Sequence, residues 1–290
     1  MNSYEDDVNR LTAIAGTAAW SKMLKIYFDN VDNYRPFDSA VVDKMCIVNF
    51  TSRTGSTFLL ELLTSNSILT AQKFENINPP NFLPFKERAR NNINGALTQV
   101  LQDNSYEGTY LTKGAIMPML FLAKTGLFTA HRENLKMVQV IRRDKVAQAI
   151  SLLKAEHTKI WHLKTNEHGA ERIARNSRDL SGAYSYSRIL TIIKNICRVN
   201  SIFLAIYKEF NLPHLLVTYE DVVENSRGSV QKILEFWDIP STTNNFSEGA
   251  TKYSTTSDQT NTIWRELFLN ELKQDDDAKA FLESNAILIN

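Results

Sequence analysis

Residues Thr51-Ser-Arg-Thr-Gly-Ser-Thr57 join small hydroxyls, one glycine and one arginine directly behind the apolar run Met45–Phe50. An amphipathic segment, Phe58-Leu-Leu-Glu-Leu-Leu63, follows them. A buried strand, such a loop and a helix make an anion cradle. The backbone N–H groups of Thr54, Gly55, Ser56 and Thr57 converge at a helix N-terminus, where the dipole also favours negative charge. A second segment has the same build: Lys136-Met-Val-Gln-Val-Ile141 runs into Arg142-Arg-Asp-Lys-Val-Ala-Gln-Ala-Ile-Ser-Leu152. With Arg143 at the start of that helix and Ser151 two turns on, a rise of ~1.5 Å per residue separates them by ~12 Å. An arginine reaching forward and a serine reaching back can grip one phosphate between them.

The first loop lacks the Gly-Lys-Ser/Thr ending of a Walker A turn, and its cation, Arg53, precedes the glycine. That order points away from ATP hydrolysis and toward another phosphate-bearing donor. Beyond the second helix, His157 stands four residues before Trp161, a spacing that lets both face one cleft. His157 is therefore a candidate base and Trp161 a candidate surface for stacking on a sugar ring. The five His and two Cys show no metal-ligand spacing and no disulfide framework, so no metal is expected.

The two loops together resemble the cofactor motifs of sulfotransferases that use 3′-phosphoadenosine 5′-phosphosulfate (PAPS). The bacterial carbohydrate group, typified by trehalose 2-sulfotransferase and the nodulation sulfotransferases, is the nearest in pattern. Lys154-Ala-Glu-His-Thr-Lys-Ile-Trp161 continues the second motif as in that group, and Val217-Thr-Tyr-Glu-Asp-Val222 is similar to its late strand and helix. Ser257-Asp-Gln-Thr-Asn-Thr-Ile-Trp-Arg-Glu-Leu-Phe268 is similar to its closing segment. The resemblance spans residues 44–272. Ser52 departs from it, standing where the family usually has proline.

The resemblance implies a P-loop-like sulfotransferase fold, α/β with a mostly parallel central sheet flanked by helices on both faces. It implies that Arg53 and Thr54–Thr57 hold the 5′-phosphosulfate, that Arg143 and Ser151 hold the 3′-phosphate, and that Tyr219 touches adenine. Glu75 falls on the glutamate proposed as the base of the trehalose enzyme, although Lys73, Asn76 and Ile77 replace its neighbours. Lys113 matches a lysine position suited to stabilising transition-state charge. A homodimer is a further expectation from these relatives. Sulfuryl transfer is loose and in line like phosphoryl transfer, so a donor clamp, charge stabilisation and a base suffice.

These side chains need a scaffold. Residues 4–30 read as one helix, broken by Tyr34-Arg-Pro-Phe-Asp38 before the strand at 45–50. Asn76–Pro84, with its Pro79-Pro80 pair, reads as a loop lining the acceptor pocket. A helix near 86–102, a strand at 110–113 and a helix near 117–126 come next. The second cofactor strand and helix, a helical stretch from about 170 to 210, a strand at 214–218, a helix at 228–237 and a helical tail complete the chain. Strands alternating with helices predict a parallel sheet with ligands beyond the carboxyl ends of its strands. The division expected is a helical extension over 1–43 and a sulfotransferase domain over 44–290.

At 290 residues, 43% apolar and 22% charged, the chain can bury a sizeable core. A net charge of +1 supplies no field for nucleic acid. The acidic start, Glu5-Asp-Asp7, is unlike a signal peptide, and runs such as Ala115–Ala123 are too short to span a membrane. A cytoplasmic location is expected. Three function classes stay open on these residues: a PAPS-dependent sulfotransferase acting on a carbohydrate or small-metabolite hydroxyl, a small-molecule kinase or other NTP-using P-loop enzyme, and an inert nucleotide-binding or interaction protein. The kinase is disfavoured because no Lys follows Gly55.

Overall fold

Four apolar runs become the parallel strands of one sheet. The computed structural model describes residues 4–28, 42–69, 75–89, 92–161, 180, 182–241, 246–247 and 259–285. Among them, β1 (Lys44–Phe50), β2 (Ser105–Tyr106), β3 (Thr109–Gly114), β4 (Leu135–Ile141) and β5 (His214–Thr218) lie in the order β2-β3-β1-β4-β5. Strands β3, β1, β4 and β5 run parallel, and β2 pairs antiparallel with β3. β2 is too short to show any periodicity, and the sequence reading has no strand there.

Alternate residues of β1 enter different cores. Met45 and Ile47 pack with Met23, Phe121 and Phe203 on one face, while Cys46 and Val48 pack with Leu59, Leu63 and Trp237 on the other. A sheet covered on both faces needs an unbroken apolar strand, which is why this run carries no polar alternation. The covering helices are α1 (Tyr4–Ala15), α2 (Thr17–Tyr27), α3 (Ser56–Ser65), α4 (Pro79–Arg88), α5 (Ile93–Asp103), α6 (Ile116–Lys124), α7 (Leu127–Ala130) and α8 (Lys145–Thr158). After them come α9 (Tyr186–Glu209), α10 (Tyr219–Glu224), α11 (Ser226–Trp237), α12 (Gln259–Leu272) and α13 (Asp276–Ser284). A third cluster joins Val146, Ile150 and Leu153 of α8 to Ile189 and Ile193 of α9, Trp264 and Phe268 of α12, and Leu282 of α13. The expected α/β fold with helices on both faces is the one observed.

Several boundaries differ from the sequence reading. The helix expected over 4–30 is two helices, because Gly16 takes φ 84 between them, a conformation open to a residue without Cβ. Their residues Leu11, Trp20, Met23 and Tyr27 belong to the same core cluster as β1 and α6. The loop expected over 76–84 is largely the helix α4. Pro79 and Pro80 occupy its first turn, where a missing N–H removes no intrahelical bond. The helix expected over 86–102 is split, and α5 starts behind Asn92, whose side chain accepts from Gly95 N at 3.2 Å. Helix α8 begins at Lys145 rather than at Arg143, because Asp144 caps it by accepting from Ala147 N at 2.8 Å.

Helix α9 is long and apolar enough to cross a membrane by length and composition, which the sequence reading did not find. It packs against α8 and α1, with Ile189, Ile193, Phe203 and Ile206 fully buried and a stripe including Lys194 and Arg198 exposed. That pattern is the one of an amphipathic helix packed on the core by one face. The break at Tyr34–Asp38, the part of the helical stretch from 170 to 179 and the segment 71–74 lie outside the described residues.

Candidate active site

The first loop leaves β1 at Thr51 and enters α3 at Ser56. Gly55 sits at the N-cap with φ 77, and a Cβ there would lie 2.3 Å from Tyr219 Cδ2. Glycine is thus required both by the left-handed backbone and by the tyrosine ring packed on it. Arg53 is also left-handed, φ 68, which is uncommon for a residue with a side chain. The loop is pinned from α8: buried Gln148 donates Nε2 to Thr51 Oγ1 at 2.9 Å and to the Ser52 carbonyl at 2.8 Å. Thr54 Oγ1 donates to the Thr51 carbonyl at 3.0 Å. These bonds hold the loop open toward the first N–H groups of α3, which have no helical carbonyl to bind.

Two cations stand at this cradle. Arg53 donates Nε to Ser151 Oγ at 3.0 Å, and its Nη1 donates to the Trp161 carbonyl. Burial, and then neighbouring Arg142, push the Arg53 guanidinium below its ordinary range. Lys113, from the end of β3 beside Val48, is 5% exposed at its side chain. Its Nζ donates to Thr57 Oγ1 at 2.8 Å and lies 2.7 Å from Glu75 Oε1, above the Phe50 ring at 5.0 Å. Such partners offset the cost of burying an ammonium. Glu75 Oε2 accepts from Asn78 Nδ2. The turn carrying Glu75 is itself tethered, since Tyr27 Oη donates to the Ile77 carbonyl at 2.8 Å.

The second arginine turn leaves the end of β4, the strand paired with β1. Arg143 Nη1 donates to Asp221 Oδ1 at 2.8 Å, an exposed pair. The Thr218 hydroxyl first, and Arg143 after it, hold the Asp221 carboxyl below the usual range. The Arg142 guanidinium lies 5.1 Å above the Tyr219 ring. Ser151 meets Arg53, whereas Arg143 meets Asp221. His157 lies exposed on the last turn of α8, and no hydrogen bond joins it to Glu75, Lys113 or Arg53 among the described contacts. The Trp161 side chain is 43% exposed.

Some site residues went unread in the sequence. Glu220 accepts from the backbone N–H groups of Arg143 and Asp144, and Arg265 donates to both oxygens of Asp144, at 3.0 and 2.9 Å. Asn49, buried near the end of β1, donates to the Gly114 carbonyl and accepts from Tyr207 Oη at 2.7 Å. Its signal was present: one amide inside an otherwise apolar strand. Among the described residues, no three or more His, Cys, Asp or Glu side chains gather as metal ligands would.

The model of the Stf0 sulphotransferase family matches residues 118–271, more than half of the chain. The chain belongs to the Stf0 sulphotransferase family. It is a PAPS-dependent sulfotransferase, which sets aside the kinase and the inert protein. The matched stretch contains Arg143, Ser151, His157, Trp161 and Tyr219, while Arg53, Glu75 and Lys113 precede it.

Solved structures similar to this sulfotransferase include a sulfotransferase domain from the Curacin biosynthetic pathway. It shares 13% identity at a TM-score of 0.42, over 76% of this chain and 82% of that one. Retinol dehydratase in complex with retinol and PAP shares 14% identity at a TM-score of 0.38, over 92% and 85%. Likenesses this distant carry no argument beyond the family match. No curated protein matches the sequence.

Proposed function

We propose that this sulfotransferase moves the sulfuryl group of PAPS to a hydroxyl of a carbohydrate or other small metabolite, with Glu75 as the base. The observation that carries the reading is the position of Lys113, which holds the Glu75 carboxylate at 2.7 Å and the Thr57 hydroxyl of the cradle at 2.8 Å. One ammonium thereby joins the donor loop to the carboxylate that would take the acceptor proton. Among the described residues His157 has no such link, and it ranks behind Glu75.

The residues fit the donor. A glycine that cannot accept a Cβ, the first turn of α3 and the cations of Arg53 and Lys113 suit a 5′-phosphosulfate. When bound, PAPS supplies a sulfuryl group on a phosphosulfate anhydride, with 3′,5′-ADP as the leaving group. Arg53 and the N–H groups of Thr54–Thr57 orient that end and stabilise charge on the departing phosphate, each such donor contributing ~3 kcal/mol. Arg143 and Ser151 would hold the 3′-phosphate, and Tyr219 would meet the adenine. Lys113 holds Glu75 in place, and Glu75 receives the hydroxyl proton. The exposed Trp161 indole, next to the carbonyl that Arg53 holds, supports a sugar as acceptor.

Thermal stabilisation tests the donor assignment. At about a hundredfold excess over its dissociation constant, 3′,5′-ADP should add ~2.7 kcal/mol of stability. ATP at the same concentration should add far less, and equal shifts for both would overturn the reading.

A further inference from the structure

We propose that Glu220 is a positioning residue for donor recognition, locking the second arginine turn to the β5–α10 turn. Resting on the donor assignment above, the proposal adds a residue to it. The Glu220 carboxylate straddles two consecutive backbone groups: Oε2 accepts from Arg143 N at 2.9 Å and Oε1 from Asp144 N at 3.2 Å. Oε1 also lies 4.0 Å from Arg142 Nε, and both side chains are about three-quarters buried. Bonds from N–H groups to an ionised carboxylate are shorter and stronger than neutral ones.

Two consequences follow from that geometry. The N–H groups ahead of α8, which in other proteins bind phosphate, are already engaged by a carboxylate of the protein itself. A 3′-phosphate must therefore be read by side chains, and the direction of the Arg143 side chain becomes decisive. That direction is set by the backbone that Glu220 grips. The ion pair between Arg143 and Asp221 is exposed on both sides and contributes little by itself.

The same short turn reaches the other end of the donor. Tyr219, one residue before Glu220, packs on Gly55 of the first loop and under the Arg142 guanidinium. Asp221, one residue after, meets Arg143. Tyr219 and Glu220 thus touch both anion-binding turns and fix the distance between them.

Titration of the wild type, Glu220→Gln and Asp221→Asn with 3′,5′-ADP and with 5′-AMP reads the effect, because the two nucleotides differ only by the 3′-phosphate. The amide of Glu220→Gln keeps one acceptor oxygen and loses the other, so 3′,5′-ADP should weaken by about tenfold. Binding of 5′-AMP should stay within about twofold, and Asp221→Asn should change either ligand by no more than that. Amide hydrogen exchange at Arg143 and Asp144 should speed up in Glu220→Gln without any ligand. Equal weakening of both nucleotides, or an unchanged preference, overturns the proposal. So does a loss in Asp221→Asn that matches the one in Glu220→Gln. Glu220→Asp, one methylene shorter, serves where the glutamine variant does not fold, and an intermediate loss of preference is expected. A wild type that fails to prefer 3′,5′-ADP overturns the donor assignment instead. Exchange at the two amides then decides the role of Glu220 alone: faster exchange upholds it and unchanged exchange ends it.

Discussion

Arg53 Nε donates to Ser151 Oγ at 3.0 Å, joining residues 98 positions apart in the chain. The loop after β1 and the helix after β4 are therefore one site rather than two. Ser151→Ala removes one acceptor that orients the half-buried Arg53 guanidinium, at a cost of ~1.5 kcal/mol in the bound geometry. The KM for the donor should rise about tenfold while the KM for the acceptor holds. Steady-state kinetics with each substrate varied in turn would check this, and a change confined to the acceptor would contradict it.

Gly55→Ala should be strongly destabilising. The new Cβ would sit 2.3 Å from Tyr219 Cδ2, on a backbone whose φ of 77 already disfavours any side chain. Left-handed strain and overpacking together cost ~2–4 kcal/mol. Urea denaturation of the two proteins measures it. A midpoint shift worth less than about 1 kcal/mol would show that the ring moves aside freely.

Lys113→Met cuts the link between Thr57 and Glu75 and leaves the carboxylate with Asn78 but without its cation. A drop in kcat of about 10²–10³ is expected, as for loss of one preorganised charge. Because Lys113 acts through the same proton transfer as Glu75, the double variant with Glu75→Gln should be little worse than the poorer single one. Fully additive losses would mean that the two side chains work separately.

Tyr27→Phe tests the reach of the N-terminal helices into the site. It deletes the bond from Tyr27 Oη to the Ile77 carbonyl, two residues from Glu75, while keeping the ring stacked on Phe121 at 4.3 Å. A buried carbonyl left without its donor costs ~1–3 kcal/mol. Calorimetry should show a lower Tm, and kcat should fall with it. An unchanged kcat would show that the Glu75 turn holds itself.

The sheet was legible in the sequence because both of its faces are buried. Runs such as Met45–Phe50 and Lys136–Ile141 cannot be surface segments, and the structure pairs them in register. The turn from β1 into α3 was legible because Gly55 and its hydroxyl neighbours mark a helix start behind an apolar run. Helix α4 was not, since Pro79-Pro80 marks a break in most settings and a first turn here. Glu220 was hidden for another reason: its partners lie 77 and 76 residues away, and no local pattern marks a carboxylate that caps a distant backbone. The contacts of Lys113 with Glu75 and Thr57 likewise exist only after three separate elements meet at the ends of β1 and β3.

Transfer of labelled sulfate from PAPS into a metabolite extract, run side by side with wild type and Glu75→Gln, tests the central claim most directly. The wild type should label a hydroxyl-bearing acceptor. Glu75→Gln should label it at least ~10²-fold more slowly while binding 3′,5′-ADP as tightly. Labelling by Glu75→Gln at the wild-type rate would contradict the assignment of the base and the coupling through Lys113 that supports it.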